Sequence, residues 1–194
     1  MEADGHVLIT DPKSRTTGEH ATYDLNQHTI IVTGDNLRYE TDKQTVTAKD
    51  SLEYYEDKKI AVARGHAVED EAARHIEGDI LTAEFKDNPN GQTDLTKVTA
   101  EGHVVVVTKN DTARGNHGVY DAARNIAIIT GNVQITRPDG TQLAGDVGEV
   151  DFDANQSRLL NSGTGRVRAL LPQKSAAKTS NSQPTAQQAK PDQQ

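Results

Sequence analysis

The sequence predicts an all-β protein: an elongated antiparallel stack of strand repeats, a twisted β-jelly roll with open ends. Three observations carry this. Apolar residues recur at every second position, as in Ile60 and Val62 or Ile126 and Ile128, and not at every third or fourth. Valine, isoleucine and threonine dominate these runs, the preference of pleated, half-buried backbone. A unit built on an aromatic residue occurs five times along the chain.

The units are ATYDLNQHTIIVTGD around Tyr23, LEYYEDKKIAVARGH around Tyr54, AEFKDNPNGQTDLTKVTAEGH around Phe85, GVYDAARNIAIITGN around Tyr120 and VDFDANQSRLLNSGT around Phe152. The aromatics are separated by 31, 31, 35 and 32 residues. In four units a glycine follows 11 residues later: Gly34, Gly65, Gly131 and Gly163. In the third unit Gly102 comes six residues late, displaced by the turn-forming insertion NPNGQT.

Each unit reads as a hairpin. The aromatic ends one alternating strand, polar residues make a short turn, and a second alternating strand follows. The glycine closes that strand at a bend or bulge where a side chain would not fit. Glu69 to His75, short and charged, is the only stretch that tolerates a helical reading. Units of about two strands bury little alone, so they must stack into a continuous apolar interior. The ends of such a stack expose unpaired backbone groups, which favours end-to-end assembly.

Composition narrows the function. The 194-residue chain carries a net charge of -8 and has only 34% hydrophobic and 4% aromatic residues. An acidic chain without a basic run is a poor nucleic-acid partner. Cysteine is absent, which excludes disulfides, thiolate metal sites and cysteine nucleophiles. No apolar run approaches the ~18 residues of a membrane span. The acidic opening MEAD is the reverse of a signal peptide's basic start, so the chain reads as cytosolic or as a mature segment. Residues 1–4 are expected to be loose, 5–171 to form one domain, and the polar stretch 172–194 to be a disordered tail.

The fourth unit with its continuation, GVYDAARNIAIITGNVQITRPDG, resembles the OstA/LptA-type repeat of Gram-negative lipopolysaccharide transport. The ending LAGDVGEVDFDANQSRLLNSGTGRVRALLPQK is similar to the last hairpin of that family, its closing strand and its polar tail. The resemblance covers about residues 45–173. It implies a jelly roll whose apolar groove holds lipid A acyl chains, with no catalytic residues and no cofactor. It also implies head-to-tail assembly through edge strands, from an LptC-like inner-membrane component to an LptD-like outer-membrane one. A cleaved signal peptide, and so a periplasmic location, follows from the same resemblance. Two departures, the extra unit from Tyr23 to Asn36 and the charged segment VEDEAARHIEG, leave open an LptC-like protein or an LptD N-terminal domain. A structural β-solenoid that binds no lipid is the alternative from another class.

The candidate lipid-lining residues are those assigned to the inner face: Leu52, Tyr54, Ile60, Val62, Leu81, Phe85, Val98, Val106, Tyr120, Ile126, Ile128, Val133, Ile135, Phe152 and Leu160. The same residues serve equally as plain core. Arg166, Val167, Arg168, Ala169 and Leu170, in the last strand, are the candidate assembly edge. Catalysis lacks support: Asp24, Asp121 and Asp153 recur at one repeat position, as turn formers do, whereas a catalytic pair is unique. The seven histidines, His6, His20, His28, His66, His75, His103 and His117, show no zinc spacing. His66 and His103 follow repeat glycines, where the fourth unit has Asn132, which suggests a turn position.

Overall fold

A computed structural model describes residues 1–160 and 167–171. The chain forms β1 (Glu2–Thr10), β2 (Ser14–Asp24), β3 (Thr29–Thr33), β4 (Leu37–Thr41), β5 (Gln44–Ala48), β6 (Ser51–Tyr55) and β7 (Ile60–Glu71). There follow β8 (Arg74–Asp87), β9 (Thr93–Val107), β10 (Thr112–Asp121), β11 (Ile126–Thr136), β12 (Gln142–Asp151), β13 (Gln156–Leu160) and β14 (Arg168–Leu170). No helix occurs among the described residues. Residues 172–194, Arg166 and Gly163 lie outside them.

Every pass of the chain pairs antiparallel with the pass before it and the pass after it. β3 and β4 are one pass interrupted at residues 34–36, and both pair with β2. β5 and β6 are likewise one pass, and both pair with β7. β13 and β14 lie against different halves of β12.

The interruptions align. The register shifts between Asp4 and Val7, between Arg64 and Ala67, and between Thr130 and Val133. Each shift contains a glycine with positive φ: Gly5 at 88°, Gly65 at 84° and Gly131 at 76°. The next residue in two of them, His66 or Asn132, is also left-handed, as is His103 after Gly102. This is the two-against-one geometry of a bulge, which bends a strand and sharpens its twist. The repeat glycines are therefore a fold line, and a Cβ at Gly102 would strike the Asp79 carboxylate. His66 and His103 occupy the turn-like position that the alignment with Asn132 suggests.

Folding along this line gives two half-sheets that face each other. The first half-sheet ends in the hairpins after β2, β6, β8, β10 and β12. The second ends in the turns after β1, β4, β7, β9 and β11. One apolar core joins them, with Val32, Leu37, Val104, Val106, Ile129, Val133, Ile135 and Val150 fully buried.

The first half-sheet's turns show what the aspartates do. Asp24 Oδ1 accepts the amide hydrogens of Asn26 and Gln27, and Asp121 Oδ1 accepts those of Ala123 and Arg124. His28 and Asn125 then adopt left-handed φ to close the turn. In the fifth unit this aspartate is Asp151, which accepts the Ala154 amide, and the left-handed residue is Asn155. The repeat position is thus held by Asp24, Asp121 and Asp151, not Asp153. Phe152 lies two places past the strand position held by Tyr23 and Tyr120.

Two more expectations change. Glu69 to His75 is a β-hairpin, because Glu69 pairs with Ile76 and Glu71 with Arg74. Residues 1–4 belong to an edge strand: Glu2, Ala3 and Asp4 pair with Thr22, Ala21 and His20.

Candidate functional site: the interior between the half-sheets

Register fixes which side chains share the interior. In the first half-sheet one row runs Tyr23, Ile30, Tyr54, Ala61, Ala83, Val98, Tyr120, Ala127, Val150, Ser157. Nearer the fold line runs Ala21, Val32, Leu52, Ala63, Leu81, Ala100, Gly118, Ile129, Gly148, Leu159. Opposite them the second half-sheet presents Tyr39, Val46, Glu69, Ile76, Val106, Ala113, Ile135 and Leu143.

Of the predicted lining residues, Leu52, Tyr54, Leu81, Val98, Val106, Tyr120, Val133 and Ile135 face this interior. Phe85 keeps the inward alternation of Leu81 and Ala83 and pairs with Leu95, which packs on the core. Phe152 is buried and meets Tyr120 edge to face, with ring centres 5.5 Å apart. Five residues fall on the opposite face. Ile126 and Ile128 flank the buried Ala127, and Ile128 pairs outward with Val119 and Glu149. Ile60 and Val62 alternate against Ala61 and Ala63, and Leu160 alternates against Leu159; Val62 is nonetheless buried, outside the main core cluster. The pleat sets this placement: the strand register turns Ala61, Ala83 and Ala127 inward, into the row that also holds Tyr23, Tyr54 and Tyr120, and their β-branched neighbours therefore point to the other face.

A charged group also lies in the interior. Arg74 and Glu69 are 8% and 6% exposed, and Arg74 Nη2 donates to Glu69 Oε1 at 2.6 Å. The guanidinium also meets Glu71 Oε2 at 2.9 Å and lies 4.2 Å from the centre of the Tyr120 ring. Burial works against the Arg74 charge, but Glu69 outweighs it and holds the guanidinium above its ordinary value. Burial likewise raises the Tyr120 phenol. That hydroxyl donates to Asn125 Oδ1 at 2.9 Å. The sequence signal for this group is weak: Glu69 and Arg74 sit in the charged segment where a solvated turn is the ordinary reading.

Among the described residues the interior opens beside β1. The groove there, of about 700 Å³, is lined by the apolar Ala3, Val7, Ile9, Ala21 and Ile30, with Tyr23, and is rimmed by Glu2, Asp4, His6 and Glu56. Under Tyr120, between Ile76, Val98 and Val106, the remaining space is about 10 Å³. Among the described residues no strand covers the outer edge of β1, or of β13 and β14. Met1, Leu8 and Ile9 are exposed at the first edge, and Val167, Leu170 and Leu171 at the other. The candidate edge residues Arg168, Ala169 and Leu170 form β14, with Val167 just before it. No group of three or more potential metal ligands occurs among the described residues.

This geometry defines an end-open β-jelly roll folded over an apolar interior. Residues 45–156, more than half of the chain, match the family of LptA/(LptD N-terminal domain) LPS transport proteins. The chain belongs to that family. It is a periplasmic protein of lipopolysaccharide transport, a class of non-catalytic proteins. Its fold is similar to that of the crystal structure of LptH, the LptA-homologous periplasmic component of the lipopolysaccharide transport device of Pseudomonas aeruginosa. The two share 19% identity with a TM-score of 0.56, over 67% of this chain and 95% of that one. No curated protein sequence matches the chain.

Proposed function

We propose that the chain binds lipopolysaccharide by its lipid A part. The interior between the half-sheets shields the acyl chains, and copies join head to tail, edge strand to edge strand, between LptC-like and LptD-like components. The observation that carries this reading is the pairing of an apolar interior, open beside β1, with two uncovered edges that each expose apolar side chains. Burial of a methylene is favourable by about 0.8 kcal/mol, so partial cover of several acyl chains suffices to hold a lipid. An uncovered strand edge offers backbone donors and acceptors to a further strand.

The test is site-specific photo-crosslinking in the presence of lipopolysaccharide. A crosslinker at inward-facing Ile30 or Ala21, beside the open groove, captures lipid, and one at outward-facing Ile128 does not. Equal capture from both faces, or none from either, rejects the reading.

A further inference from the structure

The mouth of the interior lies between the free ends of the two half-sheets, and its closure is uneven. From β8 to β13 the two ends are tied across the mouth. Asp111, in the turn between β9 and β10, is buried, and its Oδ2 accepts the Ser157 backbone N–H from β13 at 2.7 Å. Beside it Asn110 Nδ2 donates to the Asn155 carbonyl at 3.0 Å. From the next turn Arg137 Nη2 reaches the Ser157 carbonyl at 3.5 Å, and its Nε lies 3.9 Å from Asp111 Oδ1. Arg74 from one half against Tyr120 from the other continues the closure inward.

From β1 to β6 no hydrogen bond among the described residues joins the two free ends. The polar contacts there stay within one half-sheet, as Tyr23 to Glu56 and His28 to Asp57 do. The open groove lies in this part, and the near-absent void lies in the tied part. Asp111 is also built to hold one pose. Its backbone N–H donates to Thr108 Oγ1 at 3.0 Å, and its carbonyl accepts the Thr108 N–H at 2.9 Å. A fixed turn thus aims a carboxylate at the opposite half-sheet. Few bonds are involved, each exchangeable for water, so the closure is reversible.

We propose that Asp111 and Ser157, with Asn110 and Asn155 beside them, form a latch over the C-terminal part of the mouth. An acyl chain starts in the groove beside β1 and advances along the interior only as the latch releases. The inference rests on the reading that the interior takes acyl chains.

The chain has no cysteine, so a lock is simple to install. Asn110→Cys with Asn155→Cys, bridged by a short bis-maleimide, holds the mouth shut in the full chain. Asp111→Ala releases it, and Asp111→Asn keeps an acceptor for the Ser157 N–H. Uptake is measured with the apolar dye N-phenylnaphthylamine and separately with purified lipopolysaccharide. Asp111→Ala is expected to raise dye uptake several-fold, the bridged protein to lower it several-fold, and Asp111→Asn to stay near the parent. Equal uptake by parent and bridged protein overturns the latch, and does so even where Asp111→Ala fails to fold. Dye uptake that follows the lock, with no lipopolysaccharide bound by any form, upholds the latch and rejects the lipid reading instead.

Discussion

The Arg74 guanidinium lies 4.2 Å from the Tyr120 ring centre, a cation held by one half-sheet against an aromatic ring of the other. Glu69 compensates the charge at 2.6 Å, and both partners are almost fully buried. Removing one member of such a pair strands the other in a poorly solvating interior. Arg74→Ala is expected to cost about 3–5 kcal/mol in urea unfolding. The double change Arg74→Met and Glu69→Leu removes both charges and is expected to restore most of that loss. A double variant as unstable as the single one would show that shape, not charge, sets the cost.

Close approach at the fold line makes a second prediction. A Cβ on Gly115 would run into Ile129 Cγ2 and lie 3.1 Å from the Thr130 carbonyl. A Cβ on Gly118 would meet Val104 at 3.2 Å and Ala100 at 3.8 Å, a milder contact. Gly115→Ala is expected to lose about 1–3 kcal/mol, the usual range for overfilling a core. Gly118→Ala should lose clearly less, and the difference is read from paired denaturation curves.

Stability should also depend on pH in the neutral range. His75 is held between Asp70 at 2.5 Å and Glu77 at 2.7 Å. Burial lowers its pKa, but the hydrogen bonds to the two carboxylates prevail and raise it above the ordinary 6.5. The hydrogen bond to Asp57 does the same for His28. A folded-state pKa above the unfolded one means that the contribution is full below about pH 6.5 and fades as pH rises through the folded value. Thermal midpoints should therefore fall as pH is raised above 6.5. His75→Gln should flatten that slope in part, and His75→Gln with His28→Gln should flatten it further.

The two uncovered edges predict concentration-dependent chains of protomers. Deleting residues 167–171 removes β14 and the exposed Val167, Leu170 and Leu171. Light scattering should then report a single small species at concentrations where the parent elongates. Ala169→Pro, which withdraws one backbone donor from the edge, should weaken elongation with the fold retained. Unchanged elongation in the deletion would place the contact elsewhere.

Period, strand character and fold line were legible in the sequence, because a positive φ favours glycine at the bend and a turn favours aspartate at its start. The inward face was not fully legible. Ile126 and Ile128 outrank Ala127 in hydrophobicity, yet Ala127 points inward because the register pairs it with Tyr120 and Val150, and alternation then sends both isoleucines to the other face. The fifth unit misleads for a local reason: Asp151 and Asp153 both flank Phe152, and only hydrogen bonding tells that Asp151 anchors the turn. Arg74 with Glu69 was hidden for another reason: a charged hairpin is normally solvated, and here Arg74 lies against the Tyr120 ring from across the mouth.

The strand order has a further consequence. Each pass of chain touches the pass just made and the pass to come, so nothing is threaded between distant segments. Strand pairing in such a structure can gain or lose a hairpin at either end without rewiring the rest, since each ladder joins only successive passes. The passes from β1 to β4 lie before the stretch that matches the family and continue its pattern without a seam. Length in this architecture is thus an adjustable quantity, tunable by tandem duplication to the gap a protein must span.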